Sequence, residues 1–319
     1  MESVAILGSG FGLYGYLPAL FSCNCREVVL PERYCERFNE RIELNGFSSR
    51  VRWERDEYEA LRSASGAVLA LCPSQQMHWL KVCLEQNNLD CLFLEKPLAT
   101  SPSDAFALQE RLDSSKKVIR IAYLFRHLEW AKHVQAFVSH PSSQMLTFRW
   151  RFMAHHFKHN VRTWKREHDE GGGPLRFYGI HLIAMLAEIG YDSVMNSSRD
   201  SEGTEILDTW SATFFGPELP VCSVMVSTAS AHSDFSVRGH DGRKEICLFD
   251  RSSPFDLNEP ISNKTKLDGR IPVLSTFCNS AFNDPTRIPE FYRRAVELWH
   301  QVERAWTEVA IPIMPLNPT

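Results

Sequence analysis

The sequence predicts an α/β protein in two parts, a parallel-sheet domain followed by an α+β domain whose open sheet is largely antiparallel. Over the first 120 residues, short apolar runs alternate with helical patterns, which is typical of βαβ units. After residue 120, several segments alternate apolar with polar residues, which indicates half-buried antiparallel strands. The length of 319 residues favours about two domains, and we expect them at 1–120 and 121–319.

Five apolar runs predict the strands of the first sheet, at 4–7, 27–30, 51–53, 66–72 and 92–94. The fourth run reads GAVLALC, and a continuous apolar run of this kind predicts a strand buried on both faces. Helical patterns lie between the runs, at 14–22, 34–45, 58–63 and 77–86. Strands that alternate with helices in this way pair in parallel, because parallel neighbours need a crossover connection.

The second part is predicted from its alternating segments. Residues 145–153 (MLTFRWRFM) place Phe148 and Trp150 on one face of a strand and Arg149 and Arg151 on the other. Further predicted elements are strands at 209–215 and 221–227, a hairpin of 236–238 with 245–249, and a long amphipathic helix at 290–309.

Composition and charge exclude several classes of partner. Hydrophobic residues make up 44% of the chain and charged residues 23%, as in ordinary globular proteins. Lys and Arg number 35 against 39 Asp and Glu, so the net charge is −4. We therefore expect no nucleic-acid partner and no membrane-binding surface. No apolar run approaches the roughly 18 residues that are needed to cross a bilayer.

The nine cysteines are scattered, and the N-terminus lacks the basic segment of a secretory signal, so we expect a cytoplasmic protein with reduced thiols. No Cys or His group has partners at zinc spacing, and no metal is expected. Four histidines lie among Lys and Arg side chains between residues 155 and 168. This segment predicts a basic loop that favours an anionic substrate.

A glycine-rich loop, Gly8-Ser9-Gly10-Phe11-Gly12, follows the first predicted strand and opens a helix. This context is what a dinucleotide-binding fingerprint requires, because the glycines permit a tight turn and a close approach of the pyrophosphate. The loop therefore predicts a Rossmann domain that binds NAD or NADP. The predicted contacts of this loop are Gly8, Ser9, Gly10, Phe11, Gly12 and Leu13, of which Leu13 occupies the third formal glycine position.

Two charged residues follow the second predicted strand, and they point to different cofactors. Glu32 suits the ribose hydroxyls of NAD, whereas Arg33 suits the 2′-phosphate of NADP. The sequence leaves this choice open.

Polar residues also follow two later strands. Cys72-Pro73 and His78 come after the fourth strand, and Glu95-Lys96-Pro97 comes after the fifth. The carboxyl ends of parallel strands line the ligand crevice of an open sheet, so Lys96 is placed where chemistry occurs.

These segments, taken in order, resemble the Gfo/Idh/MocA family of NAD(P)-dependent oxidoreductases. The resemblance rests on the glycine loop, on Pro73 with His78, on Glu95-Lys96-Pro97, and on the run GGGPLRFYGIH at 171–181. Segment 123–126 and Trp164 resemble two weaker landmarks of the family. The resemblance implies a Rossmann domain, sugar or nucleotide-sugar substrates, and a homodimer or homotetramer formed through the C-terminal sheet.

The resemblance also implies site residues. Lys96 is expected to bind or polarise the reacting oxygen, and His181 is the candidate acid/base group. The implied cofactor contacts are Cys72, Pro73, His78, Glu95 and Lys96. The implied substrate contacts are Lys96, Tyr123, Arg126, Trp164, Phe177, Tyr178 and His181.

One residue departs from the family pattern. Many members have Asp four residues before the histidine, where it would orient the imidazole, and this chain has Phe177 there. The resemblance as a whole implies hydride transfer between nicotinamide and a hydroxyl or ketone of a sugar or nucleotide sugar. The departure at Phe177 leaves two alternatives open. One is an NADPH-dependent reductase of an imine or another unsaturated bond, and the other is a non-catalytic nucleotide-binding protein of the same fold.

Overall fold

The computed structural model describes residues 2–200, 208–256, 267–284 and 286–308, which contain two β-sheets. The first sheet is parallel, with strand order β3-β2-β1-β4-β5-β6, the arrangement of a Rossmann fold. Its strands are β1 (Ser3–Leu7), β2 (Glu27–Pro31), β3 (Val51–Glu54), β4 (Gly66–Leu69), β5 (Cys91–Leu94) and β6 (Val118–Ile121). The predicted fold class is therefore confirmed for this part of the chain.

Short helices connect these strands. A helical turn at Gly12–Tyr16 continues into α1 (Leu17–Ser22). The others are α2 (Cys35–Asn39), α3 (Glu57–Arg62), α4 (Pro73–Glu85) and α5 (Pro102–Asp113). Helices α4 and α5 begin at prolines, which need no hydrogen-bond partner at the first helical position. The Ser101 hydroxyl caps α5 by accepting a hydrogen bond from the backbone of Asp104.

The second sheet is mixed and mostly antiparallel, with strand order β12-β11-β7-β10-β9-β8-β13. Its strands are β7 (Met145–Met153), β8 (Ser193–Asp200), β9 (Thr209–Phe215), β10 (Val221–Ser227), β11 (Ala229–His240), β12 (Glu245–Arg251) and β13 (Trp306–Glu308). Only the β7–β10 and β8–β13 pairs are parallel among these strands. The predicted open and largely antiparallel sheet is confirmed.

The helices of the second part join the two sheets. They are α6 (Glu129–Val138), α7 (His155–Lys158), α8 (Ile180–Ile189), α9 (Ile271–Asn283) and α10 (Phe291–Arg304). Helix α8 is buried along most of its length and packs on α10, whereas α9 returns to pack on α1 and β6. Within the described residues, no helix is both long and apolar enough to span a membrane.

The structure differs from the sequence prediction at several elements. Strands β6, β8 and β13 and helices α5, α6, α7 and α9 were not predicted. The helix expected at 290–309 ends at Arg304, and residues 306–308 form strand β13. The helix expected at 34–45 ends at Asn39, and 3₁₀ turns follow it. Strand β8 reads SVMNSSRD and is mostly exposed, so its side chains lack the apolar alternation that reveals a half-buried strand.

Candidate functional site

The three glycines of the N-terminal loop are required for different reasons. Gly8 has a positive φ of 128°, and a Cβ there would lie 2.2 Å from the carbonyl oxygen of Ala70. A Cβ on Gly12 would lie 2.7 Å from Cγ2 of Ile6, so Gly12 provides the close contact between helix and strand. Apart from Gly10 itself and its two chain neighbours, no atom of the described residues lies within 4 Å of a Cβ placed on Gly10. The space beside Gly10 is therefore open to a ligand, as a dinucleotide site requires.

A cavity of about 490 Å³, the loop cavity, runs beside this loop. It is lined by Gly8 and Ser9, by Arg33 and Arg37 after β2, and by Cys72 after β4. These residues stand at the carboxyl ends of neighbouring strands, where an open parallel sheet binds its ligand.

Other residues predicted to contact the cofactor lie outside this lining. Glu32 is exposed. His78 is exposed on α4, where its ring packs against Trp79. Pro73 is buried at the start of α4 and approaches Gly171. Leu13 is fully buried in the hydrophobic core.

The Glu95-Lys96 turn is held by Gln76, a buried residue of α4 that the sequence reasoning missed. Its amide nitrogen donates to the carbonyl oxygens of Glu95 and Pro97, at 2.7 and 3.1 Å. Its amide oxygen accepts from the backbone N–H of Glu95 at 2.8 Å. These bonds fix the backbone that presents Lys96.

Glu95 itself is buried beneath the site. Its carboxylate accepts a hydrogen bond of 2.7 Å from the hydroxyl of Tyr16. Burial raises the pKa of Glu95, and the nearby charge of Lys96 and the Tyr16 hydrogen bond oppose this shift.

Lys96 is only 9% exposed, and its ammonium group lies against Phe177. Its Nζ donates to the carbonyl oxygen of Phe177 at 2.5 Å and lies 3.5 Å from the centre of the phenyl ring. Burial lowers the pKa of Lys96 to about 7, although the carboxylate of Glu95 acts in the opposite direction. Lys96 can therefore gain or lose a proton near neutral pH.

His181 lies in α8 and is 4% exposed. Its imidazole stacks on the ring of Phe125, with 4.7 Å between the ring centres. Burial first, and then the charges of Lys96 and Arg270, lower the pKa of His181 well below its ordinary value. Its Nδ1 has no hydrogen-bond partner among the described residues. The imidazole is thus neutral at physiological pH.

A second cavity, the inner cavity of about 340 Å³, joins the edge of the first sheet to the second sheet. Gly10, Phe11, Cys72, Glu95 and Lys96 contribute from the first part of the chain. Trp150, Trp164, Phe177, Tyr178 and His181 contribute from the second. The structure therefore brings Lys96 and His181 together in one aromatic-walled cavity.

Two further cations line the inner cavity, Lys165 and Arg270, and the sequence reasoning did not predict either as a site residue. Arg270 precedes α9 and is held by Asp268 through two hydrogen bonds of 2.8 and 2.9 Å. Its guanidinium group lies 4.2 Å from the ring centre of Phe11. Arg270, which directly precedes α9, thereby places a positive charge beside the glycine loop.

The glycine run positions Lys165. The backbone N–H of Gly173 donates to the carbonyl oxygen of Lys165 at 2.9 Å. A Cβ on Gly172 would lie 2.2 Å from the carbonyl oxygen of Trp164, so this close approach needs glycine. Burial lowers the pKa of Lys165, and its side chain forms no ion pair within the described part of the chain.

A third cavity, the outer cavity of about 730 Å³, adjoins the inner one. Tyr14, Trp164, Lys165 and Tyr178 line both cavities. The outer cavity is also lined by Arg41, His155, His156, Val161 and Thr163. The basic segment predicted from the sequence therefore faces a cavity, and part of it reaches the inner cavity through Lys165.

Two predicted substrate contacts lie elsewhere. Tyr123 is 2% exposed, and its ring centre is 5.6 Å from that of Tyr292. Arg126 donates to both carboxylate oxygens of Glu188, with its Nε at 2.8 and 3.0 Å. Neither residue lines the inner cavity. Tyr123 packs against α10, and Arg126 is paired with Glu188 of α8.

The described residues contain no group of three or more His, Cys, Asp or Glu side chains placed to hold a metal ion.

Comparison with known sequences gives one partial match. No family model matches the chain. The uncharacterized protein UNK4.17 of Schizosaccharomyces pombe is 27% identical over 109 residues, which are 34% of this chain. The match spans about a quarter (26%) of the length of that protein.

Comparison with solved structures gives matches over nearly the whole chain. The WlbA dehydrogenase of Bordetella pertussis, in complex with NADH and UDP-GlcNAcA, is 13% identical over 95% of this chain and 96% of its own, with a TM-score of 0.67. KijD10, a 3-ketoreductase of Actinomadura kijaniata in complex with NADP and TDP-benzene, is 11% identical over 98% and 99%, with a TM-score of 0.69.

A third similar structure is a myo-inositol dehydrogenase of Corynebacterium glutamicum, 13% identical over 95% of each chain with a TM-score of 0.69. These neighbours are oxidoreductases of the Gfo/Idh/MocA type. At such low identity the likeness shows a shared fold, and the reaction has to be argued from the site.

Proposed function

We propose that this chain is an NAD(P)-dependent oxidoreductase that transfers a hydride between nicotinamide and a hydroxyl or ketone of a sugar or nucleotide sugar. The observation that carries the proposal is Lys96, a buried amine with a near-neutral pKa in a cavity that begins at the glycine loop. Such a group combines positive charge with a transferable proton at the place where the nicotinamide of a Rossmann cofactor is expected.

The residues present fit a dinucleotide. Gly10 leaves room beside the loop, and residues of the loop line both the loop cavity and the inner cavity. Ser9, Arg33 and Arg37 would hold the adenosine end, and Cys72 and Lys96 would flank the nicotinamide end. NAD or NADP supplies the hydride acceptor or donor when it is bound.

Lys96 is the residue to which we assign proton transfer. Its neutral form accepts the hydroxyl proton during oxidation, and its ammonium form donates a proton during reduction. The positive charge also stabilises an oxygen that becomes negative in the transition state. Because Lys96 is buried and fixed against Phe177, little reorganisation is needed at that moment.

His181 has a different role in this proposal from the one that the family resemblance implied. A neutral imidazole with a pKa well below its ordinary value is a weak proton acceptor. It remains a good hydrogen-bonding group, and it lines the same cavity as Lys96. His181 is therefore assigned to orienting the substrate hydroxyl groups.

The substrate is proposed to be anionic. Lys96, Lys165 and Arg270 line the inner cavity, where the charge of Arg270 is offset by Asp268 and that of Lys96 by Glu95. Lys165 lacks such a partner among the described residues, and it also faces the basic outer cavity. A sugar that bears a carboxylate or phosphate supplies the missing negative charge.

Two measurements test the proposed function. Calorimetry on folded protein should detect binding of NAD⁺ or NADP⁺. Hydride transfer, followed by nicotinamide absorbance with a panel of uronic acids, sugar phosphates and nucleotide sugars, should require Lys96. The Lys96→Met variant should bind the cofactor and lose turnover, whereas His181→Ala should mainly raise KM. Absence of binding to both nucleotides would contradict the proposal.

Reduction of an imine is a second candidate, which Phe177 favours. Within the described residues no carboxylate is hydrogen-bonded to Nδ1 of His181 to prepare the imidazole to accept a proton. A reductase needs only a proton donor, which the Lys96 ammonium provides. NADPH oxidation with cyclic imines but not with the sugar panel would select this candidate.

A further inference from the structure

The end of the loop cavity next to β2 is formed by two arginines. Arg33 and Arg37 both line it, together with Ser9 and Gly8 of the glycine loop. Nη1 of Arg37 donates to the hydroxyl oxygen of Ser9 at 3.0 Å. Two guanidinium groups and one hydroxyl group therefore converge at the place where the adenosine ribose of a Rossmann cofactor lies.

The two arginines differ in how their charge is balanced. Arg33 pairs with the carboxylate of Glu57, which also accepts a 3.3 Å hydrogen bond from the hydroxyl of Tyr34. This contact holds Arg33 in place and neutralises the buried Glu57. Arg37 has no carboxylate partner within the described residues. Among the described residues Arg37 thus forms no ion pair, although Glu36 lines the same cavity.

A site selective for NAD would present a carboxylate to the ribose hydroxyls instead. Glu32, the acidic residue that the sequence suggested, is exposed and lies outside the cavity lining. Glu57 lies outside this lining as well and is already engaged by Arg33. Glu36 is the competing candidate, because it lines the cavity beside Arg37.

We infer that this chain selects NADP(H) over NAD(H) by binding the 2′-phosphate between Arg33 and Arg37, with Ser9 as a third donor. The inference rests on the proposed function and adds its cofactor preference. A planar guanidinium fork matches phosphate geometry, and hydrogen bonds between charged groups are stronger than neutral ones. Because Arg37 lacks a carboxylate partner, it contributes more to the preference than Arg33 does.

Calorimetry with NADP⁺ and with NAD⁺ tests the inference on the intact chain. The unaltered protein should bind NADP⁺ more tightly. Arg37→Ala should weaken NADP⁺ binding about tenfold or more and weaken NAD⁺ binding much less. Arg33→Ala should act in the same direction to a smaller extent. Arg62→Ala is the matched control, since that exposed arginine pairs with Glu59 of its own helix and does not line the cavity.

Three results would overturn the inference. The first is that the unaltered protein binds NAD⁺ more tightly than NADP⁺. The second is that Arg37→Ala weakens the binding of both nucleotides equally. The third is that Glu36→Gln weakens NAD⁺ binding enough to assign the ribose to that carboxylate. Unchanged NAD⁺ binding in Glu36→Gln supports it. Each of these results leaves the proposed oxidoreductase intact, whereas folded protein that binds neither nucleotide contradicts the proposed function itself. The two failures are therefore distinguishable.

Discussion

Lys96 shows how one residue's surroundings set its protonation. Its ammonium group is removed from water and lies against the ring and carbonyl oxygen of Phe177. A phenyl ring attracts a cation, but far less strongly than a carboxylate would at the same position. The desolvation cost therefore exceeds the attraction of Glu95, and the pKa of Lys96 falls to about 7.

Phe177→Asp should reverse this balance. A carboxylate facing Lys96 favours its charged form and should raise the pKa of Lys96 by about one or more. Competitive labelling of the Lys96 amine, read by mass spectrometry over a pH series, measures that pKa directly. Phe177→Asn is the control, because it removes the ring and adds no charge. An equal rise in both variants would show that the ring, rather than the missing charge, sets the pKa.

At the scale of elements, Arg176 connects three parts of the site. It is buried in the segment before α8 and donates to both carboxylate oxygens of Glu303 in α10, each at 2.7 Å. It also donates to the carbonyl oxygens of Thr100 and His168. This one side chain ties the segment that bears Phe177 to α10 and to the loop after Lys96.

Arg176→Met should lower the free energy of unfolding by about 3 kcal/mol, because it leaves the largely buried carboxylate of Glu303 without its cationic partner and with only the Trp299 indole as a donor. Arg62→Met, which removes an exposed ion pair with Glu59, should cost less than about 1 kcal/mol. Urea unfolding of both variants provides the comparison. Similar losses in the two proteins would mean that the buried pair adds nothing beyond a surface pair.

At the scale of the whole molecule, folding buries histidines that stay neutral. His168 packs against Trp306 near Arg176, and burial first, then neighbouring charges, lower its pKa to about 3. His156 is buried beside Phe157, and its pKa falls to about 4 for the same kinds of reason. In an unfolded chain both imidazoles would gain a proton at a pH near 6.5.

Below this pH the unfolded state therefore binds more protons than the folded state. The contribution of these histidines to the free energy of unfolding is fully present above about pH 6.5 and declines as the pH falls towards 4. Thermal unfolding over a pH series should show this decline. His168→Gln should make the decline shallower, whereas His140→Gln, on the surface, should leave it unchanged. An identical pH dependence in His168→Gln would exclude His168 as a contributor.

Assembly of several copies stays a prediction. One face of the second sheet carries small polar side chains such as Ser211, Thr213 and Ser223, which lie on adjacent strands and line a shallow groove. We expect a homodimer or homotetramer to form through this face.

The sequence determined the local features of this protein. A strand followed by Gly8 and Gly10 predicts the cofactor turn, because the positive φ of Gly8 and the missing side chain of Gly10 belong to the loop's own residues. The bounds of β7, β9 and β10 were likewise predicted from their sequence periodicity. Apolar and polar residues alternate along such a strand because its side chains are alternately buried and exposed. Lys96 and His181 could be singled out through motifs within short segments.

The tertiary structure decided which of these residues meet. Lys96, Lys165 and Arg270 reach one cavity because α9 packs back on α1 and the glycine run folds against the 164–165 backbone. The same packing places Tyr123 and Arg126 outside the cavity, and it sets the pKa of Lys96 and of His181 through burial. Convergence and desolvation depend on contacts between distant segments, and no local pattern in the sequence encodes them.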